Sequence, residues 1–162
     1  MKRMILLSLF CLAGIVMANA QKFALIDMEY IMENIPEYQQ ANNELELASQ
    51  QYQKAIEAKA KEAEALYLAY QKAANTLSAA QRTQKEEAIV AKEREAAELR
   101  KKYFGPEGEM AQKQEALIAP IQNRIYEAVK QISSQKGYDA VIDRASATSI
   151  IFASPRIDIS NE

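Results

Sequence analysis

EYQQANNELELASQQYQKAIEAKAKEAEALYLAYQKAANTLSAAQRTQKEEAIVAKEREAAELRKKYF, residues 37–104, runs for 68 residues without a glycine or a proline. It is dense in Ala, Glu, Gln, Lys and Leu, the residues that lose least on entering a helix. One unbroken helix of that length would stand alone in water, so a reversal is expected inside it. Asn75-Thr76-Leu77-Ser78 is the poorest helix-forming stretch of the run. Ser78 followed by Gln81 has the spacing of a capping box, in which the hydroxyl accepts the Gln81 amide and the Gln81 side chain reaches back. The lengths agree. Residues 37–76 number 40, about 60 Å of helix at ~1.5 Å per residue, and residues 79–119, ending before Pro120, number 41. Two arms of equal length make an antiparallel hairpin with its tip near 75–78 that returns to its starting point.

The apolar spacing supports pairing of the two arms. Tyr38, Ala41, Leu45, Ala48, Tyr52 and Ala55 alternate steps of three and four, and Ala63, Leu66, Tyr70, Ala73 and Leu77 do so in a shifted phase. The shift near Lys59 amounts to a four-residue insertion, which locally unwinds a coiled coil. Ile89, Ala96, Leu99 and Tyr103 continue the seam on the return arm. A seam so rich in Ala and Tyr is thin and only modestly stable. Gly105-Pro106-Glu107-Gly108 interrupts the return arm and predicts a kink or short loop there. Placing the hairpin tip here instead would pair 68 residues against 28 and leave much of the first helix without a partner.

Outside the arms the pattern changes. Residues 23–27 (FALID) read as a buried strand, and residues 28–34 as a short helix stopped by Pro36. After Pro120, the stripe Ile118, Ile121, Ile125, Val129 and Ile132 predicts a helix packed on something solid, ended by Gly137. Residues 138–143 and 150–153 read as strands joined by a polar loop, with 156–159 as a short edge strand. The fold class is therefore mainly α with a small β body (α+β). The body comprises residues 21–36 and 120–162, and the hairpin 37–119 is inserted in it. Candidate body-core residues are Leu25, Ile121, Ile125, Val129, Ile132, Val141 and Ile151. Four short strands and one helix are too little to bury a core alone, so several copies closing one shared β structure are expected.

At the start of the chain, Lys2 and Arg3, an apolar run over residues 4–17 and Ala18-Asn19-Ala20 form a secretory signal, with cleavage expected before Gln21. Residues 21–162 then number 142, carry a net charge of −4 and contain no cysteine. The 162-residue sequence has no histidine, which rules out Ser-His-Asp and Cys-His nucleophile systems and the usual zinc sets. No glycine-rich phosphate cradle is present. The charge balance argues against nucleic-acid binding. No enzyme activity, cofactor or metal is expected.

In this order, several segments resemble the Skp/OmpH family of periplasmic chaperones over residues 21–162. They are the signal, Phe23-Ala24-Leu25-Ile26-Asp27-Met28-Glu29-Tyr30-Ile31-Met32 with Pro36-Glu37 behind, Leu117-Ile118-Ala119-Pro120-Ile121, Ala128-Val129, Lys136-Gly137-Tyr138-Asp139-Ala140-Val141-Ile142-Asp143 and Asp158-Ile159-Ser160. The resemblance implies a periplasmic homotrimer. Its strands and body helices would form a small barrel, from which three hairpin arms hang around a cavity. That cavity would hold unfolded outer-membrane proteins without ATP and keep them from aggregating.

Off-seam apolar residues Leu47, Ile56, Tyr67 and Leu68 are candidates for the client-facing surface. For each, contact with the partner helix or single exposure carries equal weight. Family members are often basic, whereas residues 21–162 are acidic. Residues 65–85 are a local exception, with Lys72, Arg82 and Lys85 and no acid. They read as a solvated tip or, with less weight, as a transient membrane-surface contact. The alternative function is a coiled-coil scaffold of the cell envelope, which shares the helical features but does not need the β body.

Overall fold

A computed structural model describes residues 21–147 and 149–162. The expected signal segment and its cleavage site lie outside them. The described chain forms two compact units, residues 21–31 with 127–162, and residues 32–126.

The first unit is built on β1 (Phe23–Ile26) and β2 (Ala140–Asp143). They pair in parallel, with Phe23 opposite Ala140 and Ile26 opposite Asp143. Parallel neighbours require a long crossover, and here everything between Asp27 and Asp139 supplies it. Helix α1 (Met28–Glu33) leaves β1 directly. On the other side of β1, Asp158 bridges Leu25, and the Ile159 amide donates to the Leu25 carbonyl at 2.9 Å. Ala24, Ile26 and Ile159 form the buried centre, with Met28, Ile31, Val129, Ile132, Tyr138 and Val141 packed against it.

The expected body strands are corrected in number and place. Residues 150–153 form no strand, and in a single chain Ile151 is fully exposed, at 102%. Both sides of β1 are already taken, by β2 and by Asp158, so within one chain this apolar run finds no ladder on β1 to join. Residues 156–159 are not a strand either. A 3-10 turn covers Pro155–Ile157, capped by the Ser154 hydroxyl, and the segment meets the sheet through a single bridge at Asp158.

The second unit is a helical pair. Helix α2 (Pro36–Ala73) starts with proline in its first turn, where the missing N–H costs nothing. A 3-10 turn at Ala74–Thr76 leads to Leu77 and Ser78, and α3 (Ala79–Phe104) returns along α2. Both capping-box bonds are present: the Ser78 hydroxyl accepts from the Gln81 amide at 3.3 Å, and the Ser78 amide donates to Gln81 Oε1 at 3.0 Å. Residues 105–108 then break the limb, and α4 (Glu109–Lys136) follows.

Three expectations about this part change. Helix α4 runs straight through Pro120, where a new helix was expected. An internal proline forfeits one hydrogen bond and costs about 3 kcal/mol; the buried Ile121 and Ile125 just after it favour keeping the helix intact. Both positions fall in the helical unit, which takes in residues 32–36 and 120–126. Ile56 is buried, at 6% exposure, and is not off the seam. The buried positions of α2 are Ala41, Ala48, Ile56 and Ala63. The step of eight from Ala48 to Ile56 turns Ile56, in place of Ala55, into the interior. Helix α4 ends at Lys136 with Gly137 at φ 69°, a left-handed cap that glycine adopts without steric cost. The Tyr138 amide closes it on the Ser133 carbonyl at 3.0 Å.

Candidate functional site

The helical unit shows its apolar side chains in two different ways. Ala41, Ala48, Ile56 and Ala63 on the first limb and Ile89, Ile121 and Ile125 on the return limb are buried, while several other large apolar side chains face water. Leu47, Tyr67 and Leu68 are 59%, 48% and 47% exposed. Val90, Phe104 and Leu66 are also exposed. Val90 and Phe104 were not among the expected surface residues. They lie on the return arm, whose apolar spacing is sparse enough that seam and surface positions do not separate by pattern.

Charges fasten the two limbs to each other. Lys59 and Lys92 alternate with Glu62 and Glu95 in a four-membered ring across α2 and α3, with contacts of 3.0–3.3 Å. Lys92 and then Lys59 hold both carboxyls below the ordinary glutamate range. Glu95 and Glu62 in turn raise Lys92. Nearer the tip the Tyr70 hydroxyl donates to Glu86, which raises the phenol above its usual value. At the other end, Glu44 pairs with Lys113 and Glu37 with Arg124 at 3.1 Å. Exposed pairs of this kind contribute little stability each, but they set which faces of the helices meet. The arms thus have a charged, self-satisfied interface and separate apolar spots that lack one.

In the first unit a second set of polar contacts ties the chain ends to the sheet. Asp27 caps α1 by accepting the Tyr30 amide at 2.9 Å. The Arg144 guanidinium lies 3.1 Å from Asp27 and 3.0 Å from Asp158, joining the ends of three segments. The Asp27 amide donates to the Ser160 hydroxyl at 2.8 Å, and that hydroxyl donates to Asp158 at 2.6 Å. The Ser160 side chain and amide, with Arg144 adding, hold the Asp158 carboxyl below its usual value. Burial alone would raise Asp143. Hydrogen bonds from the Met28 amide, Ser146 and the Ala145 amide outweigh it, and the net shift is downward. Among the described residues no group of three or more acidic side chains is placed to hold a metal ion.

The body-core candidates separate. Leu25 is buried; Val129, Ile132 and Val141 pack against the buried centre; Ile121 and Ile125 are buried in the helical unit; Ile151 is exposed. Phe23, Ile142 and Phe152 join Ile151 in facing water, Phe152 at 85%. No described helix is long and apolar enough to cross a membrane.

The chain is similar to known proteins over most of its length. The chain is 27% identical over 149 residues to the Chaperone protein Skp of Yersinia enterocolitica, an alignment covering 92% of this chain and 87% of that protein. The profile of the family described as Outer membrane protein (OmpH-like) matches residues 22–162, which takes in both units and every helix and strand described above. The chain therefore belongs to the OmpH-like outer membrane protein family.

Proposed function

We propose that the chain is an ATP-independent holdase of the periplasm that keeps unfolded outer-membrane proteins from aggregating by holding them between helical arms. The observation that carries this reading is a family match over both units, combined with arms that leave Leu47, Tyr67, Leu68 and Val90 exposed. The mechanism is thermodynamic. A protein that binds only the unfolded form of its client lowers the free concentration of that form by mass action, and no nucleotide is needed. Scattered apolar contacts suit the task. Each is weak, several act together through their shared attachment, and a client that begins to fold withdraws them one by one.

The working unit in this reading is a homotrimer. A two-stranded parallel sheet leaves ladder edges and apolar side chains uncovered. Phe23, Ile142, Ile151 and Phe152 are among those exposed on a single copy. Threefold closure of the bodies would cover them and set three arms around a common space. Lys72, Arg82 and Lys85 at the tips remain solvated, or touch a membrane surface transiently.

The test is light scattering of a denatured outer-membrane β-barrel protein diluted into buffer with and without the chain, in the absence of nucleotide. Suppression that saturates near one trimer per client supports the reading. Undiminished aggregation, or suppression that requires ATP, rejects it.

A further inference from the structure

We propose that residues 105–108 are a bending joint built into the return limb of each arm, and that Tyr52, on the unbroken limb opposite, is the latch that holds the joint shut. This concerns the arm itself and does not depend on what the arm holds.

The break is one-sided. Helix α2 runs without interruption from Pro36 to Ala73, while its partner limb is cut between Phe104 and Glu109. The cut is a compact turn. The Gly105 amide donates to the Lys101 carbonyl at 2.9 Å, the Gly108 amide to the Gly105 carbonyl at 2.9 Å, and Gln112 N–H to the Gly108 carbonyl at 3.1 Å. A Cβ on Gly105 would lie 2.3 Å from the Lys101 carbonyl oxygen, and one on Gly108 would lie 2.8 Å from the Tyr103 oxygen. Only glycine lets the turn wind this tightly against the end of α3. Pro106 brings no N–H to the ladder.

The limb register changes at the same place. Between the Lys59–Glu95 pair and the Tyr52–Tyr103 pair, α2 advances seven residues and α3 eight. Between Tyr52–Tyr103 and Glu44–Lys113, α2 advances eight residues and the return limb ten. The extra residues are taken up in the turn. On α2 the buried spacing lengthens opposite it, from Ala48 to Ile56.

Tyr52 sits inside that long step and packs against the end of α3 at the edge of the cut. Its ring stacks on Tyr103 at 4.1 Å and 8°, and meets Phe104 edge-on at 6.3 Å. Beyond the cut, the carboxyl of Glu109, the first residue of α4, is held below its ordinary range by the Tyr52 hydroxyl, with Lys102 adding. Lys102 spans the cut at 3.2 Å to Glu109. With the helical ladder interrupted, these side chains carry the connection that backbone bonds carry elsewhere in the limb. Aromatic stacking gives them directional strength beyond simple burial.

The experiment is amide hydrogen exchange on the full chain, comparing wild type with Tyr52→Ala, Tyr52→Phe and Glu109→Gln. Local opening governs such exchange. Tyr52→Ala should speed exchange across residues 101–112 on the order of tenfold and leave the tip amides around Ser78 unchanged. Tyr52→Phe and Glu109→Gln should show the same local pattern at smaller amplitude. No change at 101–112 in Tyr52→Ala, or equal acceleration along the whole arm in all three variants, would overturn the proposal. If Tyr52→Ala melts the arm, the pattern in Tyr52→Phe decides. A rise confined to 101–112 supports the latch, and a uniform or absent rise overturns it.

Discussion

Ser78 shows what one side chain does for this fold. Its hydroxyl and amide close the first turn of α3 with Gln81, so the chain reverses here and not a turn earlier or later. Loss of such a cap costs about 1 kcal/mol. Ser78→Ala should therefore lower the arm's stability by that amount in a urea melt, while Ser78→Asp should be close to neutral. Ile125 lies at the opposite extreme, buried and apolar. A carboxylate there has no partner, and Ile125→Asp should cost more than about 3 kcal/mol, seen as loss of helical circular dichroism at room temperature. Residues also differ in how readily they are read. The cap is legible because both partners lie within four residues of each other. Arg144 is not, because Asp27 and Asp158, which it joins, are far apart in the chain. Ile151 looks like core by composition, yet no ladder on β1 is left for its segment.

At the level of elements, the arm is held by a thin apolar seam and a ring of charges. The ring of Lys59, Glu62, Lys92 and Glu95 is exposed to solvent. Its expected contribution is small and is screened by salt. Lys92→Met should consequently shift the urea midpoint only slightly in dilute buffer and not at all in molar salt. A large, salt-independent loss would mean that Lys92 packs through its stem and does not act through its charge. The hairpin was legible from length alone, since two equal arms fit one reversal. Pro120 was misread because a local rule about proline yields when apolar burial on the same helix, here Ile121 and Ile125, favours continuity. The turn at 105–108 was legible as an interruption, but its connection to Tyr52 was not, because that depends on which residue of the opposite limb comes level with it.

For the whole molecule, the sheet unit depends on carboxylates that work only when ionised. Asp143 and Asp158 both titrate below the ordinary aspartate value in the folded chain. The folded state thus binds fewer protons than the unfolded one in that range. Their contribution is complete above about pH 4 and drains away as pH falls through their depressed values. Thermal melts of the chain should therefore be flat from neutrality to about pH 5 and fall steeply below about pH 4, with the fall reduced in Asp158→Asn. Light scattering of the chain in neutral buffer should give the mass of about three protomers if threefold closure of the bodies is right.

The most direct test of the central claim asks where an unfolded client touches the protein. A photo-crosslinking side chain is placed, one position at a time, at Leu47, Tyr67 and Val90 on the arms and at Lys130 and Arg156 in the sheet unit, and each variant is irradiated with a denatured outer-membrane β-barrel protein. The account expects client adducts at the three arm positions and few at the two others. Adducts concentrated at Lys130 and Arg156, with the arm positions silent, would contradict it.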